Sequence, residues 1–328
     1  ALRQADYLSP KYHVVIANPP YLDKFDDRFR RFSNDEYKAS KANTYSMFIE
    51  RCLSLSLSKG FASLITLQGW MFNSSFEKLR YDLYQSSTII TMAHLGSRAF
   101  DSIGGEVVST VAFCINKSVI RDLSSIFFDL TKGKNESDKV STLLEALANQ
   151  NHYQRYQSSF SEFEKVPGCP IAYWAHHKLL SAFGRFDSLG QTVDPRSGMA
   201  TGDNDRFLRI WPEVSQAKIG FSYTSREDAQ ASNKFWFPYN KGGAFRKWYG
   251  NNEFLVLFQN DGYLIKKTKE ENLKKGLITA NNSKCWNQER YFLQCLTWSA
   301  LSTNLSMRFC DYGFIFDTKG QSLFTENS

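Results

Sequence analysis

Residues 12–25 read YHVVIANPPYLDKF, and the reading of this stretch decides the fold. Val14-Val15-Ile16-Ala17 is a short apolar run closed by proline, suited to a buried parallel strand. Proline contributes no N–H and fixes φ. Asn18-Pro19-Pro20-Tyr21 is therefore a rigid turn that presents acceptors: backbone carbonyls and the Asn18 amide oxygen. In an open α/β sheet, ligands bind beyond the carboxyl ends of the strands, where this turn lies. Tyr21 adds a flat face on which a ring can stack. The cluster suits an amine with two hydrogens to donate. For Asn-Pro-Pro alone, a plain strand stop explains the prolines equally well. The apolar strand before it, the aromatic after it and the alternation downstream favour the chemical reading.

Outward from the turn, strand and helix alternate through the first 116 residues. Tyr45, Phe48, Ile49, Cys52 and Leu53 recur at helical spacing, Gly60 is read as the end of that helix, and FASLITL is the next strand. Ser74 with Glu77 predicts a capping box for a helix through Leu79 and Leu83. STIITMAHL and EVVSTVAFCINK are further strands around a turn at Gly104-Gly105; with no helix between them, they are expected to pair antiparallel at one edge. One more strand, a charged turn and an amphipathic helix follow from Ser124 to Asn149. The alternation predicts an α/β class with parallel strands. Beyond His177–Gly190 the periodicity weakens, and aromatics, glycines and lysines dominate.

Composition excludes several classes. With 42% hydrophobic and 22% charged residues the chain is globular in type. No apolar run reaches membrane-span length and no signal segment opens the sequence, so a cytoplasmic location without membrane contact is expected. The six cysteines form no Cys-x-x-Cys pair, and no metal site is expected. The net charge is +7, and between Lys234 and Lys284 ten basic residues face four acidic ones, interleaved with Trp236, Tyr239, Trp248 and Tyr249. Cations neutralise phosphates and aromatic faces stack on bases. A solvated lysine-rich surface explains the same patch equally well.

The strand followed by Asn-Pro-Pro-Tyr resembles the catalytic motif of amino methyltransferases that use S-adenosylmethionine on adenine N6 or glutamine N5. The run NTYSMFIERCLSLSLSKGFASLITLQGWMFNSSFEKLRYDL resembles the segment after that motif in large adenine-specific DNA methyltransferases, and GGEVVSTVAFCINK their late hairpin. PIAYW, MATGDNDRFLRIWPEV and NKGGAFRKWYGN are similar to blocks of the PglX-type methyltransferases of BREX phage-defence systems. The resemblance implies the C-terminal half of a Rossmann-like class I methyltransferase sheet, then a mixed α/β or β-rich target-recognition domain. The expected bounds are 1–180 and 181–328, both domains partial. It implies that Asn18 and the Pro19 carbonyl hold the target amine, that Asn18 also touches the cofactor S-adenosylmethionine, that Pro20 shapes the turn, and that Tyr21 stacks on a flipped adenine. Phe100 falls where such enzymes place a second aromatic, although an ordinary core or loop role fits it as well. Arg196, Asn204, Arg206 and Arg209 fall in the opening of the recognition domain and could contact bases or phosphates, or could simply form a turn. Lys241, Arg246 and Lys247 are expected on phosphates, with Gly242-Gly243 allowing close approach. The implied partners are double-stranded DNA and other phage-defence proteins.

The sequence departs from the family in one respect. No Gly-x-Gly occurs in it, whereas the family carries a glycine-rich donor loop ahead of the catalytic strand. The expectation is an internal piece of a larger protein that binds the methyl donor weakly by itself. Three functions are compared: adenine-N6 DNA methylation, methylation of glutamine N5 or RNA, and a non-catalytic DNA-specificity subunit. The long basic, aromatic C-terminal region favours the first over the second, and the intact Asn18 and Tyr21 favour it over the third.

Overall fold

The computed structural model describes residues 2–100, 108–121, 123–302 and 304–325. The chain divides into two compact units, Ala1–Asp187 and Ser188–Ser328. Both are mixed α/β.

In the first unit, six strands form one sheet: β1 (Tyr12–Ala17), β2 (Ser56–Leu67), β3 (Thr88–Gly96), β4 (Thr110–Asn116), β5 (Ser124–Asp129) and β6 (Arg155–Ser159), in the order β1-β2-β4-β3-β5-β6. β1 runs parallel to β2, and β3 parallel to β5. β4 is antiparallel to both of its neighbours. β3 and β4 thus pair antiparallel as expected, but inside the sheet rather than at its edge. The cause is burial: Val111, Phe113 and Ile115 are all enclosed, which an edge position could not provide. The Gly104-Gly105 turn lies outside the described residues. β1, expected to be buried, is an edge strand of the described sheet, with Val14 52% and Ile16 78% exposed.

The helix Thr44–Leu55 starts where the Asn43 side chain accepts from the Tyr45 N–H (3.3 Å). Tyr45, Ile49, Cys52 and Leu53 enter the core from one stripe, whereas Phe48 stays exposed. Each such burial stabilises by about 1.5–3 kcal/mol. Gly60 does not end this helix. The helix stops at Leu55, and Gly60 lies within β2, beside Lys59 in left-handed backbone (φ 63) and a register shift against β1. The Ser74–Glu77 capping box is likewise absent. A 3₁₀ turn Ser74–Phe76 leads into the helix Glu77–Ser86 without a side-chain cap. Arg80 stabilises this corner instead, donating to the carbonyls of Trp70 (2.9 Å), Asn73 (2.8 Å) and Gly168 (2.8 Å).

The second unit holds two four-stranded sheets. One orders β13 (Ile315–Phe316), β9 (Trp236–Asn240), β10 (Phe254–Leu257) and β8 (Leu208–Ile210); the other orders β12 (Arg308–Cys310), β11 (Cys295–Ser299), β14 (Gly320–Phe324) and β7 (Asp194–Arg196). An aromatic core joins them through Phe207, Tyr239, Tyr291, Phe292, Phe316 and Phe324. The Tyr239 hydroxyl donates toward the Met199 carbonyl (2.6 Å) and the Asp317 carboxylate (2.8 Å). Burial, then that carboxylate, hold it protonated far above the ordinary tyrosine range.

Candidate functional site

β1 delivers the Asn18–Tyr21 turn to the carboxyl end of the parallel pair, just beyond Ala17, which pairs with Leu64. Pro19 is buried, Tyr21 half-buried, and Asn18 and Pro20 are exposed. The turn is fastened from a distance by Thr44. Its hydroxyl donates to the Pro20 carbonyl (2.5 Å) and accepts from the Leu22 N–H (2.9 Å), and its own N–H donates to the Leu22 carbonyl (2.9 Å). The Pro20 carbonyl is therefore occupied. Among the described residues no donor takes the Pro19 carbonyl, and Asn18 Oδ1 receives only a long bond from the Tyr21 hydroxyl (3.4 Å). The open acceptors are Asn18 Oδ1 and the Pro19 carbonyl.

Tyr21 stands edge-on to Tyr45, with ring centroids 6.1 Å apart at 86°, and Tyr45 rests on Phe76 at 5.9 Å. Burial raises the Tyr21 hydroxyl above its usual range and pushes Tyr45 up to about 12, so both are neutral donors near pH 7. Asn18 also borders a hollow of 550 Å³ on the sheet face, lined mainly by apolar residues including Ile16, Leu64, Ala112 and Phe128.

A second constellation, not anticipated from the sequence, gathers around His94 in β3 and Gln68 just past β2. His94 Nε2 lies 2.6 Å from Gln68 Oε1, and its Nδ1 lies 2.9 Å from the Tyr173 hydroxyl. With the Gln68 oxygen accepting, Nε2 carries the proton and Nδ1 accepts from Tyr173. Trp174 and Phe72 flank the ring at 6.5 and 6.1 Å. Burial lowers the His94 pKa, which keeps the imidazole neutral. The density of rings in PIAYW was the one signal available. Phe100 lies in the connection after β3, half-buried, and makes no ring contact with Tyr21 among the described residues.

In the second unit, the expected DNA contacts fall into separate places. Asn204, Arg209 and Lys241 border one hollow of 360 Å³, shared with Asp205 and Glu213. Asn204 Oδ1 accepts from the Thr201 hydroxyl (2.7 Å), and Arg209 Nη1 donates to the carbonyls of Asp205 and Leu208 (both 2.6 Å). Arg196 pairs with Asp194 (2.8 Å), which also binds Arg290 (3.0 Å). Arg206 reaches Thr268 (3.4 Å) and lies over Phe207. Arg246 and Lys247 stand exposed on the loop between β9 and β10.

Among the described residues no three His, Cys, Asp or Glu side chains gather as a metal site, and no helix is long and apolar enough to cross a membrane.

The family described as Eco57I restriction-modification methylase matches residues 3–100. The adenine-specific methyltransferase PglX of Lacticaseibacillus casei (strain Zhang) is 39% identical over 331 residues, covering 99% of this chain and 27% of that protein. The adenine-specific methyltransferase BrxX of Escherichia coli O9:H4 (strain HS) is 36% identical over 331 residues, covering 100% of this chain and 25% of that protein. In fold, the chain matches a nuclease-deletion mutant of the type ISP restriction-modification enzyme LlaGI, solved with a DNA substrate mimic. The TM-score is 0.53 at 12% identity, over 99% of this chain and 36% of that one. The chain spans about a quarter of the length of the curated relatives it matches, and over its whole extent it is a homologue of the adenine-specific methyltransferases PglX and BrxX.

Proposed function

We propose that the chain works as part of a site-specific DNA adenine-N6 methyltransferase that marks host DNA in a BREX-type phage-defence system. The observation that carries this reading is the pair of open acceptors, Asn18 Oδ1 and the Pro19 carbonyl, on a turn fastened by Thr44. On this reading, Ala1–Asp187 is the later half of a class I methyltransferase sheet and Ser188–Ser328 is part of a target-recognition domain.

A duplex hides the adenine amine, so the nucleotide swings out, at a cost of a few kcal/mol, and its ring rests on Tyr21. The amine's lone pair is delocalised into the ring. Asn18 Oδ1 and the Pro19 carbonyl accept its two hydrogens, draw the nitrogen toward tetrahedral geometry and stabilise the positive charge that grows during attack. No carboxylate base is needed before attack. S-adenosylmethionine, when bound, supplies the electrophilic methyl group. The residues present fit the amine side of the reaction, and Asn18, at the rim of the apolar hollow, is the side chain assigned to touch the donor. The remaining donor contacts are not assigned to this chain, which holds no Gly-x-Gly; calorimetry on residues 1–328 alone should show weak donor binding or none. The seven polar residues of the second unit are assigned to DNA, Asn204, Arg206 and Arg209 toward bases and the others toward phosphates.

The deciding experiment is tritiated methyl transfer by the full-length protein. Label in double-stranded DNA at adenine, abolished by Asn18→Ala, is the expected result. Label in protein or RNA would replace the substrate, and no label at all would favour a DNA-specificity role without catalysis.

A further inference from the structure

The loop between β9 and β10 spends an unusual share of its surface on aromatics. Trp248 is 79% exposed and Tyr249 73%, side by side at the tip, with Phe245 nearby at 54%. Large aromatic rings left in water forgo the burial that ordinarily stabilises a fold. The backbone is unusual too. Trp248 has φ 72, a left-handed conformation rare for a bulky side chain, and Gly242, Gly243, Gly250 and Asn251 are also left-handed. Nothing in the unit compensates for this by burying the rings.

The tip is nevertheless held in place. The Trp248 N–H donates to the Met307 carbonyl and its own carbonyl accepts from the Phe309 N–H, both at 2.9 Å. The Ser299 hydroxyl donates to the Gly243 carbonyl (2.9 Å), and the Asn251 amide to the Ala244 carbonyl (2.9 Å). The rings are therefore exposed on a fastened backbone, an arrangement that lowers the ordering cost of a contact. The surroundings select the partner. Residues 241–251 contain Lys241, Arg246 and Lys247 and no acid. Paired with Trp248 across the bridge is Arg308, only 1% exposed, whose Nη1 donates to the Ser306 carbonyl (3.3 Å) and whose Nε and Nη2 have no partner among the described residues. This guanidinium, partly offset by Glu253, adds to the cations beneath the tip.

We propose that this tip is a base-stacking element: Trp248 and Tyr249 stack against bases at an opened or unstacked step of DNA, while Arg246 and Lys247 hold the flanking phosphates. The assignment rests on the DNA-methylating reading and adds to it the side chains that engage distorted DNA. Rigid aromatics flanked by cations suit nucleic acid because every base has a π-face, whatever its sequence.

The test uses the full-length protein and two labelled duplexes of one mixed sequence, one fully paired and one carrying a single mismatch. The wild type should bind the mismatched duplex more tightly. Trp248→Gly suits the left-handed backbone and so removes the ring without straining the loop. It should weaken binding to the mismatched duplex roughly tenfold and abolish the preference, and Trp248→Phe should keep most of both. Lys247→Gln should weaken both duplexes alike and flatten the salt dependence by about one unit of slope. Tyr263→Ala, an exposed aromatic elsewhere in the unit, should change nothing. If Trp248→Gly and Tyr249→Ala bind both duplexes as the wild type does, the tip does not stack on bases. Failure of the wild type to bind either duplex would instead bring down the DNA-methylating reading, and this inference with it.

Discussion

The Asn18–Tyr21 turn and the 241–251 loop are both short and both carry aromatic rings, yet they are built with opposite chemistry. In the first, prolines remove donors and leave oxygen acceptors without strong partners among the described residues, which suits the amine proposed as substrate. In the second, glycines and left-handed residues bring the backbone round tightly, and the exposed polar groups are cations, which suit phosphates. Rigidity is reached by different routes as well. The turn is stiff through its own φ restriction and the Thr44 hydroxyl; the loop is held by β11, by β12 and the residue before it, and by its own Asn251 amide. One region owes its stiffness first to its own prolines, the other first to hydrogen bonds with its neighbours.

This contrast can be broken at either end. The largest effect is expected from Asn18→Ala, which removes the acceptor proposed to act in the transition state. Single-turnover methyl transfer by the full-length protein should fall about 100- to 1000-fold while DNA affinity stays the same. A parallel loss of affinity would mean that Asn18 serves binding. Gly242→Ala attacks the loop, where a Cβ would sit 2.6 Å from the Lys319 carbonyl at φ +82. Thermal unfolding should show a loss of about 1–3 kcal/mol, with DNA affinity reduced and the methyl-transfer step of bound enzyme preserved. Thr44→Val keeps the shape but deprives the Pro20 carbonyl and the Leu22 N–H of their partner. A penalty of about 1–3 kcal/mol should appear as roughly tenfold slower transfer or as lost stability, and kinetics alongside calorimetry will apportion it.

The smallest effect is one of pH. Burial lowers the His94 pKa from its ordinary 6.5, so the unfolded chain binds this proton more readily than the folded one. The stability held by neutral His94 is fully present above 6.5 and is lost as pH falls through the depressed folded value. Denaturant titrations at pH values falling from 7 through and below 6.5 should show this slope, and His94→Gln should flatten it.

What was legible in the sequence follows the same division. The turn could be read because its chemistry lies in four consecutive residues. Thr44 could not, because it sits 24 residues from the carbonyl it holds and nothing local marks it. Gly60 misled because glycine ends helices and also permits bulges, and only the register against β1 separates the two. The Ser74–Glu77 pattern misled because residues 74–76 form a 3₁₀ turn, which puts Ser74 inside the helical stretch rather than at the cap of the helix that starts at Glu77. Nor could the sequence show the partners of Arg196 and Arg209, which the structure engages with Asp194 and with backbone carbonyls. Charge can be counted from composition, whereas its availability depends on neighbours that only the fold brings together.

The placement of β4 bears on how the first unit comes into being. Because β4 lies between β2 and β3, those two strands have no shared ladder until residues 110–116 arrive to join them. During synthesis, β1 and β2 can pair and Thr44 can fasten the turn once Leu67 has emerged, whereas β3 joins them only after β4 is made. Apolar strand edges are open for that interval, a period in which a nascent chain is prone to association. The joining of β3 and β5 to the β1–β2 pair is therefore timed by a strand that contributes none of the proposed amine-holding groups.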